Sequence, residues 1–213
     1  MQYYNKKRNG IGNKGGKSMI YLDNAATTKP SKAAVDAMIK AAECFGNPSS
    51  LHGLGIEAEK LINESKKNIA DMLGVESKNI LFTSGGTEAN NLAVFGVAAA
   101  RHKIGTKIVT SKIEHPSVLE AFRKLEIDGF NVEYLDVDSE GRVDLDMLRN
   151  VLDDETILIS VMHVNNETGV IFPIEEMAQI AHEKGILFHT DAVQAVGKIP
   201  INLKKMAINF LSL

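Results

Sequence analysis

The chain has 213 residues, of which 44% are hydrophobic and 24% charged, the composition of an ordinary globular protein. Its formal net charge of −3 gives no indication of binding to nucleic acid or to an anionic membrane. The single cysteine, Cys44, excludes an internal disulfide framework and favours a reducing compartment, so we expect a cytoplasmic protein. No apolar run approaches the ~20 residues of a transmembrane helix, so we expect no membrane association.

The first 18 residues differ from the rest of the chain. Residues 1–17 contain five basic side chains and no acidic one, and they are rich in Gly, Asn and Lys. They lack the apolar stretch of a signal peptide, so we predict a disordered basic extension over residues 1–18. A basic tail that binds nucleic acid is the alternative, but the pattern is short and irregular, and we expect no nucleic-acid partner.

Ordered structure is predicted from Met19, where helical and strand patterns begin to alternate. Apolar residues at helical spacing predict helices over 31–45, 57–74, 87–105, 116–129, 144–153 and 174–185. Short apolar runs predict strands over 79–84, 107–111, 131–137, 156–164 and 186–191, and 208–213 is strand-like. Apolar strands separated by helices predict an α/β fold, a mostly parallel sheet with helices on both faces.

Polar groups follow four of the predicted strands, where ligands of parallel α/β sheets bind. The first group lies in the stretch SGGTEANN (84–91). Gly86 allows backbone amides to approach a ligand, and a helix amino terminus favours an anion, so a phosphate fits there with the Thr87 hydroxyl. The stretch matches neither a P-loop nor a dinucleotide-binding fingerprint. An ordinary tight turn with Thr87 capping the helix is the alternative.

The other three groups add different chemistry. His115 can stack on a planar ligand or move a proton, although a lone histidine is more often structural. Asn165 and Asn166 offer amides, but Asn-Asn is also plain turn chemistry. Asp191 lies two residues after His189 on one strand face, and its carboxylate can accept a bond from a protonated ring nitrogen. A metal site at His189 and Asp191 is the competing interpretation, but the other histidines show no ligand spacing, so we expect no metal.

The four groups together suit one kind of ligand. A phosphate cradle, an imidazole, an amide and a carboxylate with the nearby Gln194 match a planar, phosphorylated ring that contains nitrogen. Pyridoxal 5'-phosphate is such a ring, and a carboxylate on its ring nitrogen makes it an electron sink. The sequence therefore predicts pyridoxal 5'-phosphate as the cofactor.

Six motifs, in this order, resemble those of the cysteine desulfurases of the NifS/IscS type. These are fold-type I pyridoxal-phosphate enzymes of the class V aminotransferase family. The resemblance runs from about Met19 to Leu213. The motifs are YLDNAATT (21–28), FGNPSSLH (45–52), SGGTEANN (84–91), EHPSV (114–118), MHVNNETGV (162–170) and HTDAVQAVGK (189–198).

The resemblance implies that residues in four of these motifs bind the cofactor. Gly86 and Thr87 are implied to bind its phosphate. His115 is implied to stack on the pyridine ring and to assist proton transfer. Asp191 is implied to pair with the pyridine nitrogen and Gln194 to bond the phenolic oxygen.

The resemblance also implies a substrate and partners. Asn166 is implied to lie near the phenolic oxygen and the substrate carboxylate. The implied reaction converts L-cysteine to L-alanine and passes the sulfur to an enzyme cysteine as a persulfide, for iron–sulfur cluster or thionucleoside assembly. A homodimer, and a sulfur acceptor or iron–sulfur scaffold protein, are the implied partners.

Part of the family pattern is absent from the sequence. In the family, the segment LSL (211–213) is followed by Ser-x-His-Lys, whose lysine forms the Schiff base, and the catalytic cysteine lies farther downstream. We therefore predict that residues 19–213 form an incomplete large domain, without the small C-terminal domain, and that the chain alone is catalytically incompetent.

No other residue in the sequence matches the positions of that lysine and that cysteine. Cys44 is interpreted as a structural thiol within the first helix. Lys198, Lys204 and Lys205 do not match the place of the lysine. The alternatives are a fragment of another class V enzyme, such as a selenocysteine lyase or an aminotransferase, and a non-enzymatic truncated product.

Overall fold

A computed structural model describes residues 20–213 of the chain. The predicted disordered extension over residues 1–18 and the predicted start of order at Met19 lie outside the described residues. The strands are β1 (Lys107–Ser111), β2 (Asn131–Leu135), β3 (Thr156–Ser160), β4 (Leu187–Asp191) and β5 (Phe210–Ser212). The helices are α1 (Lys32–Glu43), α2 (Gly53–Leu73), α3 (Gly86–Arg101), α4 (Pro116–Ile127), α5 (Leu145–Val151) and α6 (Ile174–Glu183), with short 3-10 helices at Ser77–Asn79 and Leu203–Lys205.

The five strands form one sheet in the order β2-β1-β3-β4-β5, and every neighbouring pair is parallel. Strands β1 and β3 are buried along their whole length, as parallel strands are when helices cover both faces. The predicted parallel sheet is therefore confirmed. Strand β5, from the predicted strand-like run, lies at one edge of the sheet.

Helices cover both faces of this sheet, as predicted. On one face, α3 and α4 contribute Val94 and Phe122, which belong to one buried cluster with Ile108 of β1. On the other face, Leu148 of α5 and Met177 of α6 belong to a second cluster, with side chains of β3 and β4. Two apolar layers thus hold the sheet between the helix pairs, and they fix the carboxyl ends of the strands in space.

The predicted strand over 79–84 is wrong. Residues 77–79 form a 3-10 helix, and residues 80–84 pair with no strand of the described chain. Leu81 and Phe82 are 68% and 48% exposed. A strand requires a neighbour to receive its backbone hydrogen bonds, and a short apolar run does not reveal whether that neighbour is present.

The two amino-terminal helices differ in detail from their predictions. Helix α2 begins four residues earlier than predicted, because the His52 ring caps it by accepting a hydrogen bond from the Gly55 amide. Helix α1 ends at Glu43, so Cys44 is its half-buried C-cap rather than a residue within the helix. The apolar stripe of α1 is exposed, with Val35 at 40% and Met38 at 55%. None of the helices in residues 20–213 is long and apolar enough to cross a membrane.

Core packing gives a direct stability prediction. Phe188 is fully buried in β4, so Phe188→Ala is expected to lower the free energy of unfolding by about 3–5 kcal/mol through lost burial and a cavity. Phe82 is 48% exposed, so Phe82→Ala is expected to change that free energy by less than about 1 kcal/mol. Urea unfolding followed by circular dichroism measures both. Equal losses in the two variants would contradict the described core.

Candidate active site

A cavity of about 410 Å³ opens at the carboxyl ends of β3 and β4, beside the amino terminus of α3. The six residues that the resemblance implied to bind the cofactor all line this one cavity: Gly86, Thr87, His115, Asn166, Asp191 and Gln194. They come from segments up to about a hundred residues apart, and the parallel sheet brings them together. Their roles toward a cofactor remain predictions.

Asp191 is held at the base of the cavity by two hydrogen bonds. It is the last residue of β4 and is only 7% exposed. Its Oδ1 accepts from the Val193 amide at 3.0 Å, and its Oδ2 accepts from Asn90 Nδ2 at 2.8 Å. A carboxylate has about four acceptor positions, so this fixed side chain can accept a further bond from a ligand in the cavity.

A second carboxyl group, Glu114, is buried near Asp191. Its Oε1 accepts from Ser111 Oγ at 2.5 Å and from the Met162 amide at 3.1 Å, while its buried Oε2 has no partner within the described part of the chain. The pKa of Glu114 is raised to about 8, mainly by burial; the two hydrogen bonds lower this pKa and the charge of Asp191 raises it, and both effects are smaller than that of burial. Near neutral pH, Glu114 is therefore mostly protonated.

The amino terminus of α3 forms one wall of the cavity. Gly85, the N-cap residue, provides no side-chain cap, so the Gly86 and Thr87 amides at the start of the helix point out of it without intrahelical partners. The space at Gly86 is narrow, since an added Cβ would lie 2.9 Å from Val193 Cγ2. Glycine therefore allows this helix end to approach the loop that follows β4, and it leaves amide donors for an anion.

His115 immediately precedes α4 and also lines the cavity. Its ring Nδ1 caps α4 by accepting from the Ser117 amide at 3.2 Å, and it lies 2.7 Å from Ser117 Oγ. His115 is an exposed residue, so a ligand in the cavity can reach it. The capping bonds hold the ring in one orientation, so its position relative to Asp191 is fixed by the fold.

The two neighbouring asparagines have different tasks. Asn165 is buried, and its Oδ1 accepts from the amides of Glu167 and Thr168 at 3.0 and 2.9 Å, so it shapes the turn after β3. Asn166 is half-buried, lines the cavity, and donates to Glu167 Oε1 at 2.7 Å. Plain turn chemistry thus accounts for Asn165, and Asn166 is the one of the two that lines the cavity.

Gln194 joins the cavity to the amino-terminal segment. Its Nε2 donates to the Ala25 carbonyl at 3.0 Å, and its Oε1 accepts from Lys198 Nζ. Asp23, Ala25 and Ala26 also line the cavity, so the YLDNAATT motif contributes to it. Of the lysines in residues 20–213, none lines the cavity.

His189 does not line the cavity, although it shares β4 with Asp191. It is fully buried, its Nδ1 lies 2.8 Å from Ser160 Oγ of β3, and its Nε2 lies 3.0 Å from Ser212 Oγ of β5. Burial lowers its pKa to about 4, so the ring is neutral near pH 7. Both ring nitrogens are engaged by neighbouring strands, which makes His189 a cross-link of the sheet and does not favour the metal interpretation.

The sequence analysis predicted no role for three polar residues of this region. Asn90 lies one helical turn after Thr87, Ser117 bonds to His115 at the start of α4, and Glu114 directly precedes His115. Helical spacing from Thr87 is a signal that points to Asn90. Ser117 and Glu114 reveal their contacts only once the strands and helices are assembled.

The comparisons agree with this geometry. The family model described as aminotransferase class-V matches residues 20–213. The chain is 51% identical over 195 residues to the cysteine desulfurase IscS of Methanosarcina thermophila, and the match covers 91% of this chain and 48% of that protein.

Solved structures give the same picture. One described as a NifS-like protein superposes with a TM-score of 0.87 and 40% identity, over 90% of this chain and 54% of that one. One described as SspA in complex with cysteine superposes with a TM-score of 0.86 and 38% identity, over 90% of this chain and 55% of that one. The chain spans about half the length of the relatives that it matches. The resemblance inferred from the six motifs is confirmed: the chain belongs to the aminotransferase class-V family.

Proposed function

We propose that this chain forms the cofactor-holding part of a pyridoxal-phosphate-dependent cysteine desulfurase. The observation that carries the proposal is Asp191, a rigid, buried carboxylate that faces a cavity with acceptor positions to spare. The names of the relatives support the reaction, since several of them are cysteine desulfurases. The similar structure of SspA in complex with cysteine supports L-cysteine as the substrate.

The cavity fits pyridoxal 5'-phosphate in size and in chemistry. A volume of about 410 Å³ lies within the usual range of small-molecule sites. The amides of Gly86 and Thr87 provide an anion site at a helix end, and the added Cβ that would lie 2.9 Å from Val193 shows how closely this cradle is built. Asp191 provides the second group that the cofactor needs, an anionic acceptor for a cationic ring nitrogen.

Each residue would then have a defined task. Gly86 and Thr87 hold the phosphate, and Asp191 keeps the ring nitrogen protonated. His115 lies against the ring and moves a proton. Gln194 donates to the phenolic oxygen with the Nε2 hydrogen that Ala25 does not use.

The bound cofactor supplies an electron sink for the electron pair released from the amino-acid substrate. The chain supplies the electrostatics that make this sink effective. Asp191 lines the cavity whereas Glu114 does not, so Asp191 is the carboxylate that would pair with a protonated ring nitrogen. Asn166 orients the substrate carboxylate with the Nδ2 hydrogen that Glu167 does not use.

The proposed activity also needs residues and partners beyond residues 20–213. We propose that residues 20–213 are most of a large domain whose activity needs further residues, because no lysine of this range lines the cavity and because the relatives are about twice as long. A cytoplasmic homodimer that hands sulfur to an acceptor protein, for iron–sulfur cluster or thionucleoside assembly, completes the proposal.

The first test is an absorbance spectrum of the purified 213-residue chain with added pyridoxal 5'-phosphate, before and after borohydride. We expect reversible binding that dialyses away, with no lysine labelled and no alanine formed from L-cysteine. A stable label on one lysine would show that this chain forms a Schiff base by itself, and alanine formation would show that it is catalytically complete.

The second test uses a form of the protein that carries the further residues that the proposed activity needs. We expect alanine and protein-bound sulfur from L-cysteine in the presence of the cofactor. Selenocysteine and a keto acid are offered in parallel, because the same cavity is compatible with a lyase or an aminotransferase. Turnover of either of these without desulfuration of L-cysteine would overturn the proposed reaction.

A further inference from the structure

A chain of hydrogen bonds connects Asp191 to the imidazole of His115. Asn90 Nδ2 donates to Asp191 Oδ2 at 2.8 Å and to Ser117 Oγ at 2.9 Å. Ser117 Oγ lies 2.7 Å from His115 Nδ1. Asn90 is 1% exposed, so water does not compete for these bonds, and its Oδ1 is buried without a partner in the described chain.

The direction of each hydrogen bond follows from the charge on Asp191. A carboxylate only accepts, so Asn90 presents its amide NH2 group to Asp191. An amide oxygen in that place would face the carboxylate and repel it. The second hydrogen of the same NH2 group is therefore donated to Ser117 Oγ. The serine hydroxyl has one hydrogen left to give, and His115 Nδ1 is the acceptor within reach.

The backbone adds a second donor at the same nitrogen. The Ser117 amide, which the turn of α4 holds in place, donates to His115 Nδ1 at 3.2 Å. A proton on Nδ1 would point at this fixed N–H group. Two donors thus converge on Nδ1, and a neutral imidazole then carries its proton on Nε2.

We propose that Asn90 and Ser117 are positioning residues, which hold neutral His115 in the tautomer with its proton on Nε2 and so make the ring a hydrogen-bond donor toward the cavity. The state of Asp191 and the tautomer of His115 are coupled through this relay. The use of the relay in catalysis rests on the proposed function, whereas the relay itself belongs to the cofactor-free chain.

The coupling has a consequence for the ligand. His115 Nε2 has no hydrogen-bond partner among residues 20–213, so its N–H is available to an electron-rich atom in the cavity. The hydrogen bond between Asp191 and Asn90 therefore orients two groups. One is the Asp191 carboxylate, the proposed partner of a ring nitrogen, and the other is the Nε2–H of His115, a donor for a ligand in the cavity. The two hydrogen bonds that Asn90 donates keep both in place.

The tautomer is measured by nitrogen-15 NMR of the full chain labelled at histidine, without cofactor. The signals of His115 are identified by their loss in His115→Gln, since the chain contains six histidines. We expect Nε2 to be protonated and Nδ1 to be unprotonated at a pH where the ring is neutral. A neutral ring with its proton on Nδ1 in the unmodified protein overturns the proposal, without any need for a variant at Asn90 or Ser117.

Two variants test the relay itself. Ser117→Ala and Asn90→Leu are each expected to raise the population with the proton on Nδ1 by roughly fivefold, the value of one hydrogen bond. Asn91→Leu is the matched control, because Asn91 follows Asn90 in α3 but donates only to the Thr87 carbonyl. An unchanged tautomer ratio in either folded relay variant, with circular dichroism as the check of folding, contradicts the proposal.

Cofactor binding is measured separately on the same samples. The proposal on the relay fails or stands by the NMR result, and the proposed function fails or stands by the absorbance spectrum with pyridoxal 5'-phosphate. If the NMR result confirms the tautomer but the chain binds no cofactor, the relay would stand and only its proposed use in catalysis would be lost.

Discussion

Replacing Asp191 by asparagine is expected to lower alanine formation from L-cysteine by roughly 30- to 5,000-fold in a form of the protein that carries the further residues its proposed activity needs, the equivalent of about 2–5 kcal/mol for a buried, hydrogen-bonded charge. Asparagine has nearly the same shape, but it carries no charge to hold a proton on the ring nitrogen. Its amide also places an NH2 group where either Val193 or Asn90 donates. The loss therefore has an electrostatic and a geometric cause.

The matched control is Asp136→Asn. Asp136 follows the carboxyl end of β2, but it is exposed and pairs with Lys112 at the surface, 2.6 Å away. This variant is expected to keep at least about half of the activity, because exposed ion pairs contribute little. The readouts are turnover and the visible absorbance of the bound cofactor. Equal activity in Asp191→Asn and Asp136→Asn would remove Asp191 from the mechanism.

A strand could be predicted from the sequence where an apolar run is also buried on both faces in the folded chain. The run at 107–111 was predicted with the bounds that β1 has, because both of its faces are covered by helices. The run at 79–84 has a similar composition but no strand beside it in the described chain. Local sequence reports the apolar character of a segment, whereas strand pairing depends on distant segments.

The same distinction applies to the site. Asp191, His115 and Asn166 lie at strand ends, and a position relative to a strand can be read from local pattern. Asn90 lies in the middle of a helical turn, 27 residues from Ser117 and 101 residues from Asp191. Its spacing from Thr87 marks it as a neighbour of a predicted site residue, but its role consists of hydrogen bonds to Ser117 and Asp191, and only the assembled structure reveals those bonds.

Glu114→Gln is expected to change how stability depends on pH. The pKa of Glu114 is raised from 4.5 to about 8 in the folded chain, mainly by burial. Between these values the folded chain holds a proton that the unfolded chain has released. The free energy of unfolding therefore falls as pH rises through this interval, by up to about 1.4 kcal/mol per pH unit.

His189 acts in the opposite direction and over a lower range. Burial lowers its pKa from 6.5 to about 4, so the unfolded chain binds the extra proton, and stability falls as pH falls through that range. The two effects oppose one another between about pH 4.5 and 6.5. From pH 6.5 to 8, the contribution of Glu114 remains without that of His189, which makes this range the one to measure.

Urea unfolding of the cofactor-free chain at several values between pH 6.5 and 8 measures the effect. Glutamine keeps the acceptor for Ser111 and Met162 but has no proton to lose, so its stability is expected to be nearly flat where that of the unmodified chain declines. Glu59→Gln, at an exposed position of α2, serves as the control and is expected to keep the decline. The same slope in Glu114→Gln and in the unmodified chain would mean that Glu114 is ionised in the folded state. The buried region around Asp191 would then hold two carboxylate charges instead of one.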